Sequence, residues 1–115
     1  MKNKKKVPSQ GDVVWLDFSE GSALGHEQMG RRPALVVSND KFNYLNGGLV
    51  KVIPITTTSN QFPYLIEIPE KFKVKGKLMV NQERAVDVIS RNYEFFCHLP
   101  KEFVKKIIEI LLTSF

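Results

Sequence analysis

Cysteine is nearly absent. Cys97 is the single thiol in 115 residues, so no disulfide can form within the chain and a cytoplasmic setting is the default expectation. One cysteine and two histidines also exclude a four-ligand Cys/His metal centre. No apolar run approaches the roughly 20 residues that a membrane-spanning helix requires. The opening residues 1–6 are basic, but Val7-Pro8-Ser9-Gln10-Gly11-Asp12 follows, without the apolar centre of a secretory signal. Internal repeats are missing as well. What remains is ordinary globular material, 43% hydrophobic and 25% charged, sufficient for one core but not two.

The charge is one-sided. A net +5 points to a polyanionic or acidic partner. Four of the seventeen cations, Lys2, Lys4, Lys5 and Lys6, fall in residues 1–9, which read as a flexible basic tail ahead of one domain over 10–115. Nucleic acid and an acidic protein therefore compete on equal terms as the partner that composition implies.

Gly11-Asp12 opens Val13-Val14-Trp15-Leu16-Asp17-Phe18, a β-branched and aromatic run that predicts a first strand. Residues 19–31 hold three glycines and no periodicity, a long loop for so small a domain and hence a functional candidate. Arg32-Pro33 closes it, with Pro33 holding Arg32 extended at the start of a central strand over 34–38. Ser38-Asn39-Asp40 predicts a helix cap before a short turn over 41–45, and Asn46-Gly47-Gly48 a tight turn. Leu49-Val50-Lys51-Val52-Ile53-Pro54-Ile55 reads as a strand that should bulge or end at Pro54. Five hydrogen-bonding side chains, Thr56-Thr57-Thr58-Ser59-Asn60, follow, then a fourth strand over 64–68 stopped by Pro69.

Lys71, Lys73, Lys75 and Lys77 alternate with apolar residues or glycine. A two-residue period would set all four on one side of an extended segment, either tracking phosphates or protecting a solvated edge. Strand or turn is expected over 78–80 and 85–89, and a short strand or connector over 92–98. Pro100 then starts the one clear helix. Phe103, Val104, Ile107, Ile108, Leu111 and Leu112 make its apolar stripe, wide enough for a dimer contact as well as the core. The predicted class is mainly β: about five or six short antiparallel strands in a bent sheet or partly open barrel, with a C-terminal helix.

The string from Gly11 to Phe18, then Gly25-His26-Glu27-Gln28 to Gly30, then Arg32-Pro33-Ala34-Leu35-Val36-Val37-Ser38, resembles the MazF/PemK/Kid toxin family. Ile53-Pro54-Ile55-Thr56-Thr57 continues the likeness, and Asn81-Gln82 falls where the family usually has Asp-Gln. The resemblance is collinear from about residue 10 to the C-terminal helix. It implies a homodimer with an SH3-like, CcdB/PemK-type barrel, acting as a metal-independent, sequence-selective endoribonuclease on single-stranded RNA. A cognate antitoxin would neutralise it by laying an acidic, partly disordered segment along the RNA groove. The same fold also hosts CcdB-like gyrase inhibitors that cut nothing, so a non-catalytic inhibitor or a degenerate binding module remains the alternative.

Cleavage without metal uses the adjacent 2′-hydroxyl as nucleophile, giving a 2′,3′-cyclic phosphate and a 5′-hydroxyl. It needs a base, a proton source and positive charge at the phosphoryl group. Arg32 matches the family's catalytic arginine; its fork suits two phosphate oxygens, and charge stabilisation fits it better than acid catalysis. Thr56 matches the catalytic threonine and suits orientation of the phosphate or 2′-hydroxyl, a role Thr57 and Ser59 could share. His26 and Glu27 match the His-Glu of the Kid-like branch, with His26 as proton shuttle and Glu27 as base or as a hold on His26 or Arg32. Asn81 departs from the family, because it stands where Kid-like enzymes have an aspartate base, and Met79 stands where they have an arginine. The mechanism is therefore expected to follow the Arg/Thr scheme of MazF. Gln82 and Asn81 are RNA-contact candidates. Arg31 is expected to point away from Arg32, toward the surface, RNA or antitoxin. Trp15 and Phe18 are read as core, and Phe62 and Tyr64 as platforms for an unpaired base.

Overall fold

The computed structural model describes residues 7–18 and 30–115. Seven strands and two α-helices follow in the order β1 (Asp12–Asp17), β2 (Arg31–Val36), α1 (Asp40–Leu45), β3 (Leu49–Thr56), β4 (Leu65–Glu67), β5 (Lys77–Met79), β6 (Arg84–Asp87), β7 (Glu94–His98) and α2 (Lys101–Leu112), with one 3-10 turn at Val80–Gln82. All pairings are antiparallel. The sheet runs β4-β5-β3-β2-β1-β7, with β6 beside β3, so it is open, bent and mainly β, as the short β-branched and apolar runs imply.

Strand β3 is the hub. One edge pairs with β2 through Val52, Ile53 and Pro54. The other edge is divided, meeting β6 along Leu49 to Val52 and β5 at Ile55 and Thr56. Two apolar clusters form on opposite sides of the sheet. The first joins Val13, Leu35, Ile53, Ile55 and Leu78 to Val104, Ile107 and Leu111 of α2. The second gathers Val14, Leu16, Phe18, Ala34, Val36, Val50 and Val52 with Val86 and Val88. The helical stripe thus meets the first cluster, while Leu112 at its end stays exposed.

The prolines act differently from the sequence expectation. Pro54 neither ends nor bulges β3, which continues to Thr56. The Val37 N–H bonds the Lys51 carbonyl, so Lys51, Ile53 and Ile55 turn their peptide groups toward β2, and Val52 and Pro54 turn theirs away. The N–H that Pro54 lacks therefore falls where the neighbour changes from β6 to β5, and no ladder bond is lost. Strand β2 begins three residues earlier than expected, and Pro33 lies inside it. Its missing N–H points at β3, and there the recorded β2–β3 ladder stops, at Ala34↔Pro54.

The stretch 71–77 is also corrected. It is a run of turns rather than an extended strand, with Val74 buried and only Lys77 in β5. Lys71 lies over Phe72, Lys73 lies over Phe96, and Lys75 caps the carbonyls of Glu70 and Phe72. No single lysine face results.

At the foot of the sheet, Asn39 caps α1 by accepting from the Phe42 N–H, as the Ser-Asn-Asp sequence suggests. Beside it Asn43 is fully buried. Its amide donates to the carbonyls of Pro8 and Ser38 and accepts from the Ser38 hydroxyl, while Ser38 Oγ accepts from the Lys51 N–H. Removing Asn43 orphans several buried groups at once. Asn43→Ala should lower unfolding stability by about 2–3 kcal/mol, read from urea melts; a loss under about 0.5 kcal/mol would show that water replaces the amide without cost.

Candidate nucleic-acid interface

The geometry that Pro33 sets up determines where functional side chains go. Arg32 pairs with Leu16 of β1, so it projects on the side of the second cluster. The same register, carried two residues past Ala34↔Pro54, makes Arg32 and Thr56 the next pair to share that side. Here the β2–β3 pairing ends, while Ile55 and Thr56 still pair with Leu78 and Lys77 of β5 on the other edge of β3. Arg32 and Thr56 therefore flank a mouth where the β2–β3 pairing ends.

Arg84 joins them on this side. It sits opposite Val52 and places its guanidinium 4.9 Å from the centre of the Phe18 ring, two residues along β1 from Leu16. Burial first, and then the charge of Arg91, lower its pKa from the usual arginine value. Arg91 donates to the Asp17 carbonyl at 2.9 Å. An arginine whose proton affinity a neighbouring cation lowers favours an anion beside it. The sequence reading did not single out Arg84, since nothing local marks it; only the pairing of β3 with β6 brings it to Phe18.

Arg31 points to the opposite side, as strand alternation requires. It is tied down by Asp17 at 2.7 Å, Glu94 at 3.3 Å and the Asn92 carbonyl at 2.7 Å, a clamp across β1, β2 and β7. The Asn92 amide and then the Arg31 guanidinium hold the Asp17 carboxyl below its ordinary range.

On that second side a groove of about 550 Å³ opens, lined by Trp15, Pro33, Ile55, Thr57, Lys73 and Phe96, with Arg32 at its rim. Trp15 and Phe96 stack at 5.3 Å and 40°, and Lys73 Nζ lies 5.5 Å from the Phe96 ring. This corrects the assignment of aromatics. Phe18 is core, but Trp15 is only partly buried and faces the groove. Tyr64 packs against the first cluster and bonds Thr113 through its hydroxyl at 2.8 Å, while Phe62 is exposed. The Trp15/Phe96 pair was hidden because its members are far apart in sequence and meet only through the β1–β7 pairing.

The remaining candidates scatter. Thr57, Thr58 and Ser59 line a smaller cavity with Lys75 and Lys77. Asn81 and Gln82 are exposed on the 3-10 turn, and Met79 is buried in β5. His26 and Glu27 lie outside the described residues. The other histidine, His98, pairs with Asp12 at 2.7 Å, at the far end of β1 from Asp17 and so about 16 Å from the mouth at a strand rise of roughly 3.3 Å per residue.

An open antiparallel sheet with a cationic, hydroxyl-bearing mouth and an aromatic groove beside it defines a small binding domain suited to a single anionic strand. More particularly, the chain belongs to the family described as PemK-like, MazF-like toxin of type II toxin-antitoxin system, which matches residues 9–115. It is 41% identical over 93 residues to the endoribonuclease toxin ChpB of Escherichia coli (strain K12), covering 76% of this chain and 77% of that one. To the endoribonuclease EndoA of Bacillus subtilis (strain 168) it is 30% identical over 112 residues, 94% of each. Among solved structures it superposes on MazF (Form-I) from Deinococcus radiodurans with a TM-score of 0.83 and 32% identity, covering 96% and 97% of the two chains. Among the described residues no helix is long and apolar enough to cross a membrane.

The clamp has a pH signature. A carboxyl whose folded pKa is depressed adds stability above its unfolded value and loses it as pH falls through the folded one. Arg31→Gln should therefore make stability fall less steeply with acid below about pH 4, measured by urea midpoints from pH 2 to 6. A slope equal to the parent's would mean Arg31 does not act on Asp17.

Proposed function

We propose that this protein is a metal-independent endoribonuclease toxin that cuts single-stranded RNA as a homodimer in the cytoplasm and is neutralised by an acidic antitoxin segment. The observation that carries the reading is the register that sets Arg32 and Thr56 on one side of the sheet where the β2–β3 pairing ends, in a chain whose family match and curated relatives are toxins and endoribonucleases.

The chemistry follows from the groups present. Arg32 offers two parallel N–H donors to the non-bridging oxygens of the scissile phosphate and offsets the charge that grows there when the 2′-oxygen attacks. A guanidinium with an ordinary pKa above about 12 gives up a proton reluctantly, so its work is electrostatic. Thr56 Oγ1 accepts from the Thr58 N–H at 3.3 Å, which leaves the hydroxyl proton to donate to a phosphate oxygen. Threonine thus orients rather than deprotonates. Proton transfer falls to His26 and Glu27, since Asn81 has no carboxylate to serve as base. The 2′-hydroxyl requirement makes DNA a ligand at most.

Trp15 and Phe96 suit an unpaired base flanking the cut, with Lys73 and Lys75 near its phosphates. The same cationic rim suits the acidic antitoxin segment, so both ligands compete for one surface. Exposed Phe95 on the edge strand β7 and exposed Leu112 on α2 are apolar surfaces that a second subunit could cover.

The test is cleavage of a mixed-sequence single-stranded RNA in excess EDTA, beside an all-DNA strand of the same sequence. The parent should cut RNA alone, leaving 2′,3′-cyclic phosphate and 5′-hydroxyl ends, and Arg32→Ala should lose roughly 10²–10³-fold in rate. Intact RNA with the parent would refute the assignment and favour the gyrase-binding alternative, whereas undiminished cutting by Arg32→Ala would remove Arg32 from the catalytic site.

A further inference from the structure

Lys77 is out of character for its surroundings. It is 9% exposed in a three-residue strand otherwise made of buried Leu78 and Met79. A buried ammonium is costly unless hydrogen-bonded, and an apolar side chain would pack there more cheaply. Its recorded partner is a neutral group, the Asn60 carbonyl, at 2.9 Å.

That carbonyl is the far end of the threonine loop. The Asn60 N–H bonds Thr58 Oγ1 at 3.2 Å, and the Thr58 N–H bonds Thr56 Oγ1 at 3.3 Å. Two consecutive hydroxyl turns thus run from Asn60 back to Thr56, and Lys77 pins their free end. The near end is held by the same strand, since Lys77 pairs directly with Thr56. Just before it, Gly76 adopts φ +125° with the Thr56 carbonyl so close that a Cβ would stand 2.5 Å from its oxygen. Only glycine permits that approach.

We propose that Lys77 is a positioning residue for Thr56: through the Asn60 carbonyl it fixes the loop whose Thr58 N–H occupies one side of the Thr56 hydroxyl oxygen. With that site on the oxygen filled, the hydroxyl proton is confined to the remaining directions, among them the side shared with Arg32. The rival role, a direct phosphate ligand, is disfavoured by the cavity around the ammonium, where Glu67 and Glu70 line the wall with Lys75. Two carboxylates there repel a phosphate. This inference rests on the nuclease reading above and refines one residue of it.

The experiment is a double-mutant cycle on RNA cleavage, with the full chain at matched fractions folded. Lys77→Met should lower kcat on the order of 10- to 100-fold, as expected for a misplaced reacting group, while KM stays within about twofold. In a Thr56→Val background the same change should have no further effect, because its target is gone. The dependence of RNA affinity on salt should keep its slope. Lys77→Arg, which retains a donor, should recover part of kcat. If Lys77→Met fails to fold, Lys77→Gln carries the same comparison. Parent-like kcat, losses that multiply with Thr56→Val, or a salt slope smaller by about one would each overturn the positioning role while leaving the nuclease reading intact. An inert parent would overturn both.

Discussion

A single missing hydrogen-bond donor shapes this molecule. Pro33 sits within β2 with its absent N–H directed at β3, and past Ala34↔Pro54 the two strands have no recorded ladder. The end of β3 keeps its partners in β5 on its other edge. The β2 edge of β3 is left without a paired neighbour beyond this point, and the mouth lies there.

Around this opening the arginines divide their labour by strand parity. Arg31 is saturated by two carboxylates and a carbonyl and serves as a rivet through β1, β2 and β7. Arg32, one residue on, faces the other way beside Leu16, where Arg84 lies over Phe18. Two adjacent, chemically identical side chains thus do unrelated work, and the difference arises from the pleat alone.

The sequence conveyed the architecture well because most of its elements are locally encoded. The β-branched and aromatic run over 13–18, the cap at Asn39, the Asn-Gly-Gly turn and the helical stripe after Pro100 all mean in the fold what they suggest in isolation. Errors arose where meaning depended on distant partners. Pro54 reads as a breaker until β6 and β5 are seen to exchange places opposite it. The alternating lysines read as one face until Val74 turns inward and Lys77 is buried beneath the threonine loop. Trp15 reads as core until Phe96 and the turn at Lys73 are seen to frame it as a wall of the groove. Arg32 and Thr56 were legible through the family resemblance, but their sharing of one side of the sheet required the register. Arg84 required the β3–β6 pairing and had no local signal.

The sharing of β3 among three partners also bears on how the molecule breathes. Amides in a strand bonded on both edges and packed on both faces exchange with solvent only through the largest openings, whereas terminal strands such as β4 and β7 can release individually. Thr56 is the last residue of that strand, past the β2 pairing and paired with β5 on its other edge, rather than part of the loop that follows. The mouth therefore has a strand-backed wall on the β3 side. Whatever adjusts when a strand of nucleic acid arrives must do so on the β2 side or in the ligand itself, so backbone flexibility of the RNA, more than plasticity of the threonine edge, would decide which sequences fit.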